Sequence, residues 1–257
     1  MLFDNCLILA PDDAKLSRCS REKIGWYLSK GIAEKISDNP LTIRLKFEPS
    51  GREGQNDPFL TNGKPNHCVV CGTTKNLSRH HVVPKCFVRY LELKYIMDTL
   101  HDIMPLCRPC HGKYETFAWQ KKKQMSQELG IDIHGTEPKL VVKVNHAISA
   151  ARTLLKHKDK IPEFKYAYLM KPIQEFYHKS DISDEEIKKL SIYKIKYDKN
   201  YVSFGKYVVS KIENINEFAK DWREHFVSSM KPQFLPEYFS VDRDCEKAWL
   251  PKRFKTT

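Results

Sequence analysis

The chain has 257 residues, of which 41% are hydrophobic and 30% charged, and it carries a net charge of +12. This composition belongs to a folded globular protein and excludes a disordered or collagen-like one, and no run approaching 18 apolar residues is present to span a membrane. The excess of 44 Lys and Arg over 32 Asp and Glu suits a polyanionic partner, and residues 66–125, with ten Lys and Arg against four Asp and Glu, hold half of it.

The first residues, MLFDNCLILAPDD, lack the basic region and cleavage site of a secretory signal and the Arg-rich character of a transit peptide. An intracellular chain with its eight cysteines reduced is therefore expected, whether nuclear, cytoplasmic or organellar. Residues 1–50 read as a strand–helix–strand unit. NCLILAP suggests a strand, and SREKIGWYLSKGIAEKI places Ile24, Tyr27, Leu28, Ile32 and Ile36 near one helical face, with Ser20 as N-cap. PLTIRLKFEP alternates as a strand does. Residues 51–66 are rich in Gly, Asn, Asp and Pro and read as a linker or long loop. Residues 67–125 hold the chemistry-bearing side chains. Residues 126–257 read as a mostly helical C-terminal region, with a capping box at Ser183 and Glu186, Asn214 as a further cap, and a tail from 231 that wraps the surface.

Cys68 and Cys71 form one CxxC pair, and Cys107 and Cys110 a second, Cys107 lying 36 positions after Cys71. Each pair suits a knuckle that presents two thiolates, and two such pairs make the four ligands of a tetrahedral structural zinc. Gly72 stands directly after the first pair, where a knuckle favours positive φ. Cys6, Cys19, Cys86 and Cys245 lack such spacing and read as ordinary thiols.

Between the pairs lies RHHVVPKC, and His111 follows the last cysteine directly. If both pairs share one ion, the intervening chain folds back: LSRHHVVP and HDIMPL form a hairpin, and RPCHGKYETFAWQ begins a helix with Pro109 in its first turn. His80 and His81 then point to opposite strand faces, so one could serve as surface and one as core. Glu115, four residues after His111, shares its helical face and reads either as a ligand or as a plain surface carboxylate. His67, His101, His134, His146, His157, His178 and His225 have no partner assignable from sequence.

The order Cys68-x2-Cys71, His80-His81-Val-Val-Pro84, Asp102-x3-Leu106-Cys107-x2-Cys110-His111 resembles the HNH, or ββα-metal, endonuclease family over about 50 residues. The resemblance implies an α+β protein: a zinc-stapled ββα-metal finger between the N-terminal unit and the helical C-terminal region. It implies His81 as general base, His80 and His111 as ligands of a catalytic divalent ion, and Asp102 where the family carries Asn. Phosphodiester hydrolysis needs an activated water and charge relief at the phosphate, which an imidazole and a divalent ion supply. Two imidazoles admit Mg, Mn, Ni or Zn, with Mg or Mn expected. Arg79, Lys85, Arg108 and Lys113 are candidate phosphate contacts, with Asp102 and Glu115 in support. The function expected on these grounds is metal-dependent endonucleolytic cleavage of nucleic acid, DNA ahead of RNA. The alternatives are a non-catalytic, zinc-stabilised nucleic-acid-binding module and a protein-docking scaffold.

The flanks, SREKIGWYLSKGIAEKI, PLTIRLKFEPSGR and DWREHFVSSMKPQFLPEYFSVD, resemble the region that follows the exonuclease domain in the exonuclease 3′–5′ domain-containing protein 2 family. The DEDD-type exonuclease domain is not expected within this chain, so exonuclease activity is not carried over, and WYLSKG and WREHF read as packing segments or as the frame of a nucleic-acid groove.

Overall fold

The computed structural model describes residues 2–49, 52, 58–92, 95, 101–157 and 160–245. It is a mixed α+β protein with one four-stranded and one two-stranded sheet among these residues. The chain divides into two compact units, residues 1–121 with 209–257, and residues 122–208, where the sequence suggested segments ending at 50, 66 and 125.

The first unit opens with β1 (Cys6–Leu9), β2 (Lys15–Cys19), α1 (Arg21–Ser29), β3 (Ala33–Asp38) and β4 (Leu41–Leu45). Their sheet runs β2–β1–β4–β3, with β1 parallel to β4 and the other pairs antiparallel. Cys6, Ile8 and Ile43 meet Ile24 of α1, Ala33 and Leu45 in one buried cluster. Ser20 caps α1 as expected, its hydroxyl accepting from Lys23 N at 3.3 Å. The expected length of this helix needs correction. It ends at Ser29, Gly31 turns the chain at φ +67°, and residues 33–38 form β3. Apolar residues at Ile32 and Ile36 mimicked a helical face, but Ile36 is exposed, and pairing with β4 satisfies this backbone.

Part of the expected linker is ordered: α2 (Pro58–Thr61) buries Phe59, and the Asn66 carboxamide accepts from Leu2 N and Phe3 N at 2.9 and 2.8 Å. Residues 51 and 53–57 of that segment lie outside the described residues. Next come β5 (Leu77–His81), α3 (Lys85–Val88), β6 (Ile103–Cys107) and the long α4 (Arg108–Glu128), which runs on into the second unit. β5 and β6 pair antiparallel with Leu77 opposite Cys107 and His81 opposite Ile103. The expected hairpin and following helix are thus present.

The second unit is built on α5 (Pro138–His157), α6 (Glu163–Tyr177) and α7 (Asp184–Ser191). Val144, Ala147, Ile148, Ala151 and Leu154 recur at helical spacing along α5 and pack against Met170, Ile173, Ile187 and Leu190. The Ser183–Glu186 capping box opens α7. α8 (Phe204–Val209) leads back into the first unit, where α9 (Ile215–Met230) begins at the expected cap, Asn214. The tail is packed to Cys245, which is buried, and its remainder from 246 lies outside the described residues.

Candidate metal centres

The first pair of cysteines forms a tight turn. Gly72 N donates to Cys68 O and Cys68 N to Thr73 O, both at 2.8 Å, and Gly72 sits at φ +74° as the sequence anticipated. Val69 N donates to Pro105 O at 3.0 Å, which clips this turn to β6, and β6 runs straight into the second pair. The sulfurs of Cys68, Cys71, Cys107 and Cys110 consequently lie within 4.8 Å of one another, with Cys71 and Cys107 at 3.7 Å. Thiolates around a tetrahedral zinc at about 2.3 Å stand roughly 3.8 Å apart, so the donor set fits that ion. Burial opposes ionisation of Cys68, yet backbone N–H groups of Cys107, Cys71 and Val70 outweigh it and bring the thiol down to about 7. Burial and the neighbouring thiols push Cys110 up. Four sulfurs gathered this closely are a donor set suited to a cation.

A second cluster lies on the other side of β6's helix junction. Alternation along β5 turns Ser78 and His80 to one face and Arg79 and His81 to the other. His111 and Glu115, one turn apart on α4, meet His80 there: Glu115 Oε1 lies 3.5 Å from His80 Nδ1 and 3.4 Å from His111 Nε2. Ligand atoms of the three all fall within 4.8 Å. Spacings of this size suit three ligands around one ion at about 2.0–2.2 Å each. Glu115 therefore joins the two histidines instead of remaining a plain surface carboxylate.

The orientation of His111 is fixed. Ser78 Oγ lies 2.7 Å from His111 Nδ1 and 3.1 Å from Leu106 O, and with the hydroxyl proton on Leu106 O the ring donates to it through Nδ1–H. The Nδ1–H tautomer leaves the Nε2 lone pair directed at Glu115, the arrangement a ligating imidazole requires. His80 is 4% exposed, its ring edge-on to Tyr114 and stacked on Phe226 at centroid distances of 4.9 and 6.2 Å. Tyr114 in turn has its hydroxyl 3.1 Å from His225 Nδ1. Ser78, Tyr114 and Phe226 were not singled out in sequence. Ser78 carried a signal, two residues before His80 on the same strand face, while Phe226 comes from a helix over a hundred residues away.

His81 does not join this cluster. Burial lowers its pKa, with Lys85 adding to the effect, and its Nδ1 is buried without a hydrogen-bond partner among the described residues. Asp102 is 1% exposed and receives Arg223 in two contacts, Nε to Oδ1 at 2.8 Å and Nη2 to Oδ2 at 3.0 Å. His101, for which sequence gave no partner, bridges the Asp102 carboxylate and Tyr238 O at 3.1 and 3.0 Å. The extra negative charge of Asp102 is thus neutralised by an arginine from α9. Arg79 packs on Phe3 at 5.0 Å and donates to Leu2 O, while Lys85, Arg108 and Lys113 are exposed. Cys6 and Cys245 are buried, and Cys19 and Cys86 partly so, all without a ligand cluster among the described residues.

Fold and site define an α+β protein with two clusters of metal-ligating side chains on one hairpin–helix unit. The chain is similar to exonuclease 3′–5′ domain-containing protein 2 of Mus musculus, 31% identical over 96% of this chain and 39% of the mouse protein. The Homo sapiens protein of that name is 30% identical over 96% of this chain and 41% of its own length, and that of Drosophila melanogaster 31% over 95% and 44%. The chain spans about two-fifths of the length of these relatives. No protein-family model matches the chain. No solved structure matches it. The relatives correct the expected function: they bear the name of a 3′–5′ exonuclease domain, which points away from an HNH endonuclease. The ordered cysteines and histidines mark where ligands converge, and that pattern alone does not carry an activity. No described helix is long and apolar enough to cross a membrane.

Proposed function

We propose that this chain is part of a metal-dependent nuclease, a phosphodiester hydrolase acting on nucleic acid, and that His80, His111 and Glu115 hold its divalent ion. The observation that carries the reading is the convergence of those three ligand atoms within 4.8 Å, with His111 oriented by Ser78. The similarity over 96% of the chain to proteins named for a 3′–5′ exonuclease domain supports it, and favours attack at a 3′ terminus. Cys68, Cys71, Cys107 and Cys110 would hold a structural zinc, which would fasten the β5–β6 hairpin to the start of α4.

His80, His111 and Glu115 would hold a divalent ion, Mg or Mn, which would supply charge relief at a phosphate. The chain's own residues do the rest. Tyr114 and Phe226 pack on the His80 ring, and Ser78 orients the ring of His111. Exposed Lys85, Arg108 and Lys113 offer charge to flanking phosphates.

The test uses the purified chain with Mn or Mg on linear single strands and closed circles, beside His80→Ala and Glu115→Gln. Degradation of linear strands with circles spared is expected, with a loss of about 10²-fold or more in both variants. Calorimetric Mn binding should weaken in step. Hydrolysis or Mn affinity unchanged in both variants would remove the cluster from the reaction.

A further inference from the structure

Beside the other face of the hairpin lies a cleft of about 240 Å³ within the first unit, outside both ligand clusters. At roughly 30 Å³ per water it has room for a phosphate group together with solvent. Its walls come from the N-terminal segment (Leu2 to Asn5), the end of β2 (Arg18, Cys19), Ser20, Lys64, and the hairpin residues Arg79 and Ile103. Ile103 pairs across the hairpin with His81, and Arg79 shares the face of His81, so the cleft lies on the His81 side.

Three cations line it. Lys64 is held over the rings of Phe3 and Phe59 at 5.4 and 4.8 Å. Its ammonium has neither an ion-pair partner nor a hydrogen-bond acceptor among the described residues. Burial and the charge of Arg79 lower its pKa, the signature of a cation set in place without its anion. Arg79, stacked on Phe3, spends one N–H on Leu2 O at 3.3 Å. Arg18 donates to Thr61 O and Asn5 O at 3.0 and 2.8 Å. Neither is ion-paired among the described residues. The one carboxylate in the lining, Asp4, accepts from Arg21 N at 2.9 Å at the start of α1 and does not pair with any of the three. A half-buried lysine beside an arginine, without its own counter-ion, is a place where an anion is favoured.

We propose that this cleft binds a backbone phosphate of the nucleic-acid strand, with Lys64 and Arg79 as its principal contacts and Arg18 in support. The proposal rests on the reading that the chain acts on nucleic acid and adds a positioning site for the strand on the face opposite the His80 cluster. A diester phosphate matches because it carries one charge, enough to satisfy Lys64, and leaves oxygens for the Arg79 fork.

The test measures fluorescence anisotropy of a short labelled single strand, without added divalent ions, across a salt series. Wild type is compared with Lys64→Met, Arg79→Met and the exposed control Lys23→Met. Met keeps the apolar stem over the rings, and circular dichroism checks each fold. Expected are a weaker affinity, by about tenfold, and a log–log salt slope smaller by about 0.7 in Lys64→Met and in Arg79→Met, with Lys23→Met as wild type. Should Lys64→Met fail to fold, Arg79→Met decides. Slopes and affinities equal to wild type in the folded cleft variants would overturn the proposal. So would inorganic phosphate that displaces no strand at constant ionic strength yet binds wild type and not Lys64→Met, which would assign the cleft to free phosphate. Because no hydrolysis is read, loss of the nuclease reading at His80 leaves this result standing, and a silent cleft leaves the ligand cluster untouched.

Discussion

At the scale of single residues, the Asp102–Arg223 pair is where the chain is most exposed to change. Both side chains are fully buried, and the fork of Arg223 fills both carboxylate oxygens while its Nη1 donates to Arg243 O at 2.7 Å. Such a pair adds little over an apolar substitute, but removing one partner leaves the other charge stranded. Asp102→Asn should cost about 3–5 kcal/mol in urea unfolding, more than Asp102→Leu combined with Arg223→Met. A smaller loss in the single variant than in the double would contradict this account. The pH dependence has a definite sign. Burial opposes ionisation of Asp102, but hydrogen bonds from His101 and Arg223 outweigh it and hold the carboxyl below its ordinary value. Its contribution is therefore full above the unfolded carboxylate value and lost as pH falls through the lower folded one.

At the scale of elements, α7 of the second unit shows how much of a helix rests on its first turn. Ser183 Oγ accepts from Glu186 N at 3.3 Å, and Glu186 Oε2 accepts from Ser183 N at 3.0 Å. The helix has eight residues, too few to persist on backbone propensity alone, so the cap and the burial of Ile187 and Leu190 decide it. Ser183→Ala should lower stability by about 1 kcal/mol. The ion pair with Lys179 and the Ser183 backbone N–H hold Glu186 down to about 2. A depressed carboxylate stabilises above its unfolded value and ceases to do so as pH falls through about 2. The difference in melting temperature between wild type and Glu186→Gln should accordingly shrink between pH 6 and pH 2, roughly the span over which such a group protonates. A difference constant with pH would assign the effect to shape instead of charge.

At the scale of the whole molecule, the two compact units differ in what holds them. The second has a continuous apolar cluster between α5, α6 and α7. The first has a small sheet core of Cys6, Ile8, Ile24, Ala33, Ile43 and Leu45, and a hairpin whose ends are gathered by four thiols. A zinc held there contributes folding free energy directly, because the unfolded chain has no preformed site. Calorimetry should show two transitions. A strong chelator should lower the one belonging to the first unit by ten degrees or more, an order-of-magnitude figure for losing several kcal/mol of metal binding. Ser183→Ala should move only the other. A single transition, or one indifferent to chelator and to Cys107→Ser, would sink the structural-metal reading.

The sequence by itself determined the parts governed by local periodicity and fixed spacing. These are the two cysteine pairs, the hairpin that joins them, the helix that carries His111, the caps at Ser20, Ser183 and Asn214, and the apolar stripes of the C-terminal helices. Each is decided within a few residues, where alternation, capping chemistry and a positive-φ glycine act. Residues 33–38 show where that reach ends: their apolar spacing allowed a helix, and pairing with β4 made them a strand. Only the tertiary structure brought Glu115 onto His80 and His111 and set Phe226 behind them. It alone placed Arg223 on Asp102 and Lys64 beside Arg79, since those contacts span separations up to 146 positions, as in His80 with Phe226. Burial, charge pairing and ligand convergence depend on which surfaces meet, and a one-dimensional pattern does not encode which surfaces those are. The same limit explains the corrected activity: the spacing of histidines and cysteines specifies where ions can bind, while the reaction depends on what the assembled walls admit.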